Sequence, residues 1–176
     1  AELKMLVDAV QAAKFISPKK SKELIGKVTE LASPYQSDTL KRSLFVDDKV
    51  KTSNESVYYA VDTLHEAIQK QKTVAFRYIE YTPQKKKAYK HGGQVYLLSP
   101  YDMVWNSDAY YVFGFSESHG KVVKFRVDRM HRPALSEQPY RPKPEGYNIS
   151  EYCRQVFSMY DGSACTVELK CENSLM

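Results

Sequence analysis

The chain has 176 residues, 43% of them hydrophobic and without a long apolar run, which allows one sizeable core or two smaller units and excludes a membrane-spanning helix. Its three cysteines, Cys153, Cys165 and Cys171, are odd in number and form no Cys-x-x-Cys pair, so reduced thiols are expected, with neither a disulfide framework nor a zinc site. The net charge of +5 is unevenly spread: residues 1–69 carry ten Lys/Arg and ten Asp/Glu, residues 70–143 fourteen and six, and residues 144–176 two and five, so the middle segment holds the surplus and implies an anionic partner.

From the N-terminus, Leu3, Leu6, Val7, Val10 and Ala13 recur at spacings of three and four and predict an amphipathic helix over Glu2 to Ile16. Lys4, Asp8 and Gln11 interrupt this stretch, unlike a secretory signal, and a cytoplasmic protein is expected. Ser17-Pro18 ends the helix and opens a second one, since Ser caps well and Pro fits the first helical position. Leu24, Ile25, Val28 and Leu31 form its stripe, which Ser33-Pro34 terminates. Tyr35 to Ser53 is mixed in pattern and is assigned as a connection with at most one short strand. Asn54 caps a third helix to about Gln69, with Val57, Tyr58, Val61, Leu64 and Ile68 on one side.

From Thr73 the period changes from helical to alternating. Val74, Phe76 and Tyr78 face one way and Ala75, Arg77, Ile79 and Tyr81 the other, as on a strand. Pro83 and Gly92-Gly93 bracket a lysine-rich loop. Three runs rich in aromatic and β-branched residues follow, Val95 to Leu98, Ala109 to Phe115 and Val122 to Val127, separated by turn chemistry at Asn106-Ser107-Asp108 and Ser118-His119-Gly120. The count is four or five short antiparallel strands, and curling into a small barrel would hide their edges. His131-Arg132-Pro133 leaves this unit. Pro139, Pro142 and Pro144 mark a linker, a helix follows over Tyr147 to Tyr160, and Ala164 to Lys170 alternates as a strand.

Along Val123 to Asp128 apolar and charged side chains alternate, so Phe125 and Val127 point to a core while Lys124, Arg126 and Asp128 share the opposite face, with Arg129 at the strand's end. Two guanidinium forks beside a carboxylate suit a phosphate or carboxylate ligand. The same pattern also describes a solvated face with an internal Asp–Arg pair. Trp105 admits two roles as well, a large ring at a site or hairpin packing.

These residues resemble a known family. Ala109-Tyr110-Tyr111-Val112-Phe113-Gly114-Phe115, followed by Phe125-Arg126-Val127-Asp128-Arg129-Met130, is similar to a WYL domain, named for a Trp-Tyr-Leu triplet; here Tyr110 stands for the Trp and Val112 for the Leu. Val74-Ala75-Phe76-Arg77-Tyr78 and Leu98-Ser99-Pro100 fall in the family's order, and the likeness runs from about Leu64 to Arg132. The resemblance implies an α+β fold, with N-terminal helices leading into an Sm-like, SH3-type antiparallel barrel and then the start of a C-terminal α/β extension. The matching division is a helical linker or dimerisation region over 1–70, a barrel over 71–135, a linker over 136–147 and the extension over 148–176. It also implies a middle fragment of a longer regulator whose DNA contact is made by a helix-turn-helix domain outside this chain, and a homodimer.

By the same resemblance the site would comprise Tyr78, Tyr111, Arg126, Asp128 and Arg129 and take a nucleotide or oligonucleotide. Arg126 and Arg129 would fork onto phosphates, a tyrosine would stack on a base, and Asp128 would orient an arginine. A single-stranded nucleic-acid module acting through the barrel is the alternative, given fourteen tyrosines and the basic middle segment. Catalysis is not expected: His65, His91, His119 and His131 are scattered, and none of the Gly-x-Ser-x-Gly, phosphate-loop or His-Glu-x-x-His motifs occurs. No metal, no cofactor and no membrane partner are expected.

Overall fold

In the computed structural model, which describes residues 2–31 and 51–157, three helices precede a six-stranded antiparallel sheet. Helix α1 spans Glu2–Ala12 and α2 spans Pro18–Glu30. The Ser17 cap is present: its Oγ accepts from Lys20 N–H at 3.1 Å, with Pro18 at the first turn. The carbonyls left open at the end of α1 are met from far along the chain, because Lys51 Nζ donates to Val10 O and Ala13 O as well as to Ser21 Oγ. The apolar stripes of this pair are only partly covered among the described residues: Val7 is buried, whereas Met5, Leu6 and Leu31 stand exposed. The Ser33-Pro34 stop lies outside the described residues, as does the strand expected over Ala164 to Lys170.

Helix α3, Ser56–Lys70, turns a continuous face inward and buries Val57, Ala60, Leu64 and Ala67, the spacing of three and four that one helical face requires. It packs on the sheet, where its side chains join Val74, Phe76, Tyr96, Leu98, Val112, Phe125, Val127 and Met130 in one core. Asn54 Oδ1 accepts from Ser56 N–H and Oγ–H at its start. Gln71 ends it in the left-handed conformation at φ 50°.

The strands are β1 Thr73–Tyr81, β2 Lys87–Tyr89, β3 Val95–Asn106, β4 Ala109–Ser116, β5 Lys121–Arg126 and β6 Met130–Ser136. β1 has the predicted span and inner face. β3 is three times as long as its predicted run. It continues past Leu98 because Tyr101 is bulged between Pro100 and Asp102, and a proline without an N–H is tolerated at such a break in the ladder. Gly114 on β4 sits against that bend, where a Cβ would lie 2.9 Å from Pro100 Cα, so the close approach of the two strands there requires glycine.

Two further expectations are corrected. The segment after His131 does not leave the sheet: it is β6, antiparallel to β1 with Val74 opposite Leu135 and Arg77 opposite His131. Pro133 is accommodated because, among the described residues, β6 pairs on one side only. The ring of strands is also not closed into a barrel. β5 turns through a single 3-10 turn, Val127–Arg129, into β6, and among the described residues no ladder joins the two.

Residues 137–143, within the expected linker, lie against the sheet. Arg141 N–H donates to Ser99 Oγ, Tyr101 Oη to Pro142 O and Tyr140 Oη to Pro100 O. By contacts the chain divides into one unit up to Lys143 and a second from Pro144. The second contains helix α4, Ile149–Phe157, opened by Asn148 Oδ1 accepting from Ser150 N–H, with the Tyr147 and Tyr152 rings 5.2 Å apart. No helix among the described residues is long and apolar enough to cross a membrane.

Candidate ligand site at the end of the fifth strand

The geometry of this site begins with alternation failing at the right place. Through Phe125 the period of two holds, with that ring buried against Phe76, Tyr78 and Tyr96. At Val127 the chain enters the 3-10 turn, and Val127 itself is fully buried and anchors it. Arg126 and Asp128 flank this anchor and meet on the outer side. Arg126 Nε lies 3.0 Å from Asp128 Oδ1 and an Nη 2.8 Å from Oδ2, a bidentate fork. The carboxylate holds the Arg126 guanidinium above its ordinary range, against the opposing effect of partial burial. The pair is 37% exposed on each side, so its contribution to stability is that of a surface pair, about 0.2–1 kcal/mol.

Tyr78 stands behind this pair. Its ring packs on Phe125 at 5.0 Å, and its hydroxyl oxygen accepts the Arg126 backbone N–H at 3.2 Å. A β1 side chain thus supplies to β5 a hydrogen bond that a closed ring of strands would have supplied from a backbone. Burial pushes the phenol up, while the Arg126 N–H and the charges of Arg129, Asp128 and Arg126 act on it more weakly. Tyr111 is opposite Arg126 in the β4–β5 ladder, and the guanidinium carbon lies 5.9 Å from its ring centre.

Four of the five predicted residues therefore form one linked group: Tyr78, Tyr111, Arg126 and Asp128. The fifth departs from the prediction. Arg129 turns to Tyr81, with its guanidinium carbon 5.9 Å from that ring, and its buried Nε has no acceptor among the described residues. The two arginines act on the same Tyr78 phenol, yet they do not form one clamp.

Arg126 and Asp128 line a cleft of about 200 Å3 whose remaining walls include Lys14, Phe15, Asn54, Asp108 and Tyr110. Asn54 Nδ2 donates to Asp128 O at 3.1 Å, so the start of α3 fixes the 3-10 turn. Lys14 pairs with Asp108 at 3.4 Å. Phe15 meets the Tyr110 ring edge to face at 5.5 Å and Trp105 at 4.4 Å, and Trp105 and Tyr110 meet at 4.7 Å. Trp105 accordingly packs the β3–β4 hairpin against the connection between α1 and α2. None of these wall residues was marked by the sequence as part of a site. Phe15 was counted in a helix, Asn54 as a cap and Asp108 as turn chemistry, and only folding brings them to Arg126.

The cleft's charged residues are Lys14, Lys51, Arg126, Asp108 and Asp128, three cations and two carboxylates. With Arg126 already answered by Asp128, this favours a small anion with an aromatic or apolar body over a polyanion. Among the described residues no cluster of three His, Cys, Asp or Glu side chains is placed to hold a metal ion.

Residues 59–135 match the family model of the WYL domain. Among solved structures, proteasome accessory factor B/C (PafBC) of Arthrobacter aurescens is similar over 51% of this chain and 13% of that one, at 16% identity and a TM-score of 0.39. The chain thus covers a small part of that protein, and the likeness is too loose to carry an argument. No curated protein matches.

Proposed function

The chain carries a WYL domain over residues 59–135, and from that premise we propose that it is the ligand-sensing part of a transcriptional regulator, with no catalytic step. The ligand is a small anion, nucleotides being the first class to test, held in the cleft beside Arg126. It would modulate DNA binding by a helix-turn-helix domain outside this chain. The observation behind this reading is the composition of the cleft walls. They join the Arg126 fork on the sheet to Lys14 and Phe15 of the helical arm and to Asn54 at the start of α3, so an occupant touches both the sheet and the helices that precede it. The exposed apolar residues Met5, Leu6 and Leu31 support a homodimer through the helical arm, which sedimentation of the chain would test.

Calorimetric titration with a panel of mono- and cyclic dinucleotides, at low and high salt, tests the sensor. Saturable binding that tolerates salt and weakens at least tenfold in Arg126→Ala is expected. The thermal midpoint should move by no more than about 2 °C, because the exposed ion pair contributes little. Binding of an oligonucleotide alone, falling steeply with salt, would replace this reading with that of a single-stranded nucleic-acid module acting through the sheet.

A further inference from the structure

The surplus positive charge of residues 70–143 does not reside at the Arg126 cleft. Lys70, Lys72, Arg126, Arg141 and Lys143 are each ion-paired to a carboxylate. Arg77 and Lys87 are not, among the described residues, and the strand registers place them on one face. Arg77 is opposite His131 on β6, Ile79 is opposite Tyr89 on β2, and Tyr81 is opposite Lys87. Directly paired residues point to the same side of a sheet, and residues two apart on β1 share that side. The face therefore reads Arg77, Ile79 and Tyr81 along β1, flanked by Lys87, Tyr89 and His131, and none of these is a carboxylate.

The face is built rather than incidental. The Tyr89 hydroxyl is 3.1 Å from His131 Nδ1, and the Arg77 guanidinium carbon is 6.0 Å from the Tyr89 ring centre, while Arg77 Nε donates to Gly93 O. These contacts hold the Tyr89 ring between Arg77 and His131, with Arg77 and Tyr89 exposed and His131 half-buried. Ile79, Lys87, Ala88, Tyr89 and His131 line an open groove of about 360 Å3. Beside it, β2 is a three-residue strand that among the described residues pairs only with β1, so its far edge presents both N–H donors and C=O acceptors that no described strand matches.

We propose that this face docks an acidic, extended segment of a partner protein, which adds along the free edge of β2 and sets its carboxylates against Lys87 and Arg77. One feature selects a peptide over a nucleic-acid strand. A sheet edge offers donors and acceptors in alternation, which another peptide backbone matches and a phosphodiester backbone, an acceptor only, does not. Edge lysines ordinarily repel a second copy of the same basic strand. Against an acidic strand the same lysines attract, so Lys85, Lys86 and Lys87 exclude self-association while admitting this partner. The proposal is independent of the Arg126 cleft.

The test is fluorescence anisotropy with a labelled eight-residue peptide alternating Glu and Val, a copy methylated on its backbone amides, and an oligothymidylate of similar charge. Saturable binding of the parent peptide is expected. It should weaken at least tenfold in Lys87→Glu and in Arg77→Glu, and similarly for the methylated copy, while Arg126→Ala leaves it unchanged. The Lys87 side chain makes no hydrogen bond or ion pair among the described residues, so Lys87→Glu reports on docking even if Arg77→Glu disturbs the fold. Absence of saturable peptide binding, equal binding of the methylated copy, or tight binding of the oligothymidylate alone would each overturn the proposal.

Discussion

Two arginines of this sheet sit on tyrosines in nearly the same way, Arg126 at 5.9 Å from Tyr111 and Arg77 at 6.0 Å from Tyr89. They differ in what answers their charge. Arg126 is held bidentately by Asp128 two residues on, tied through the same turn to Asn54, and set beside a cleft. Arg77 donates to a single carbonyl and meets no carboxylate among the described residues. The first geometry is preorganised and nearly neutral, suited to selecting a small ligand. The second is uncompensated and open, suited to attracting an acidic chain. Net charge counted along a sequence points to the second kind of surface and says little about the first.

The sharpest way to break this comparison is to remove what supports one region and not the other. Phe125 is buried and its ring lies about 5 Å from both Phe76 and Tyr78; Phe125→Ala should cost about 3–5 kcal/mol in urea denaturation. Because Phe125 immediately precedes Arg126, the Arg126 cleft should lose its ligand before the β1–β2 face loses its peptide. A smaller separation is expected from the two charge variants. Arg126→Ala should weaken nucleotide binding and spare peptide binding, and Lys87→Glu should do the reverse. If either substitution weakens both by the same factor, the two regions are one surface.

Tyr78→Phe is the next step down. It leaves the Arg126 N–H without its acceptor and should cost about 1 kcal/mol in the same denaturation experiment, with ligand affinity at the cleft falling and the β1–β2 face unaffected. An unchanged midpoint and affinity would show that water replaces the hydroxyl without loss. The phenol, raised by burial, stays neutral throughout the accessible range and introduces no pH dependence of its own.

The smallest expected effect is a pH dependence from His119, whose ring centre lies about 6 Å from those of Tyr96 and Phe125. Desolvation first, then Lys90, His91 and Lys121, hold this imidazole below its ordinary value, while Ser116 and Ser118 hydroxyls contact its Nδ1. The unfolded chain therefore takes up the proton more readily. Stability should fall as pH drops through the ordinary imidazole value of about 6.5 and recover above it. The residue is exposed, so a shift of the thermal midpoint of about 1 °C or less is expected, and His119→Gln should flatten that part of the profile.

Much of the architecture followed from local pattern. The Ser17-Pro18 boundary, the span of β1 and the inward positions of Phe125 and Val127 each rest on neighbours within four residues, and no distant contact overrides them. The Arg126–Asp128 pair is also local, two residues apart, although the 3-10 turn at Val127 rather than an extended strand brings the two side chains together. Where the pattern was interrupted, the sequence misled. Pro100 and the bulged Tyr101 break the alternation of β3 without ending the strand, and Pro133 suggested an exit where a strand paired on one side only accepts a proline.

The cleft was not legible at all. Phe15 and Tyr110 are 95 positions apart, and Asn54 and Asp128 are 74 apart, and no periodicity connects residues at such distances. The sequence by itself determined the three helices and the strands β1, β4 and β5, the inner faces of β1 and β5 and the identity of the charged pair, because these depend on short-range geometry and on hydrophobic period. Only the tertiary structure decided that the ring of strands stays open at the Val127–Arg129 turn, that Tyr78 bridges to β5 there, and that Arg126 and Arg129 part company. Those outcomes depend on which side chains fill one shared volume, and that is set by the packing of α3 and six strands together.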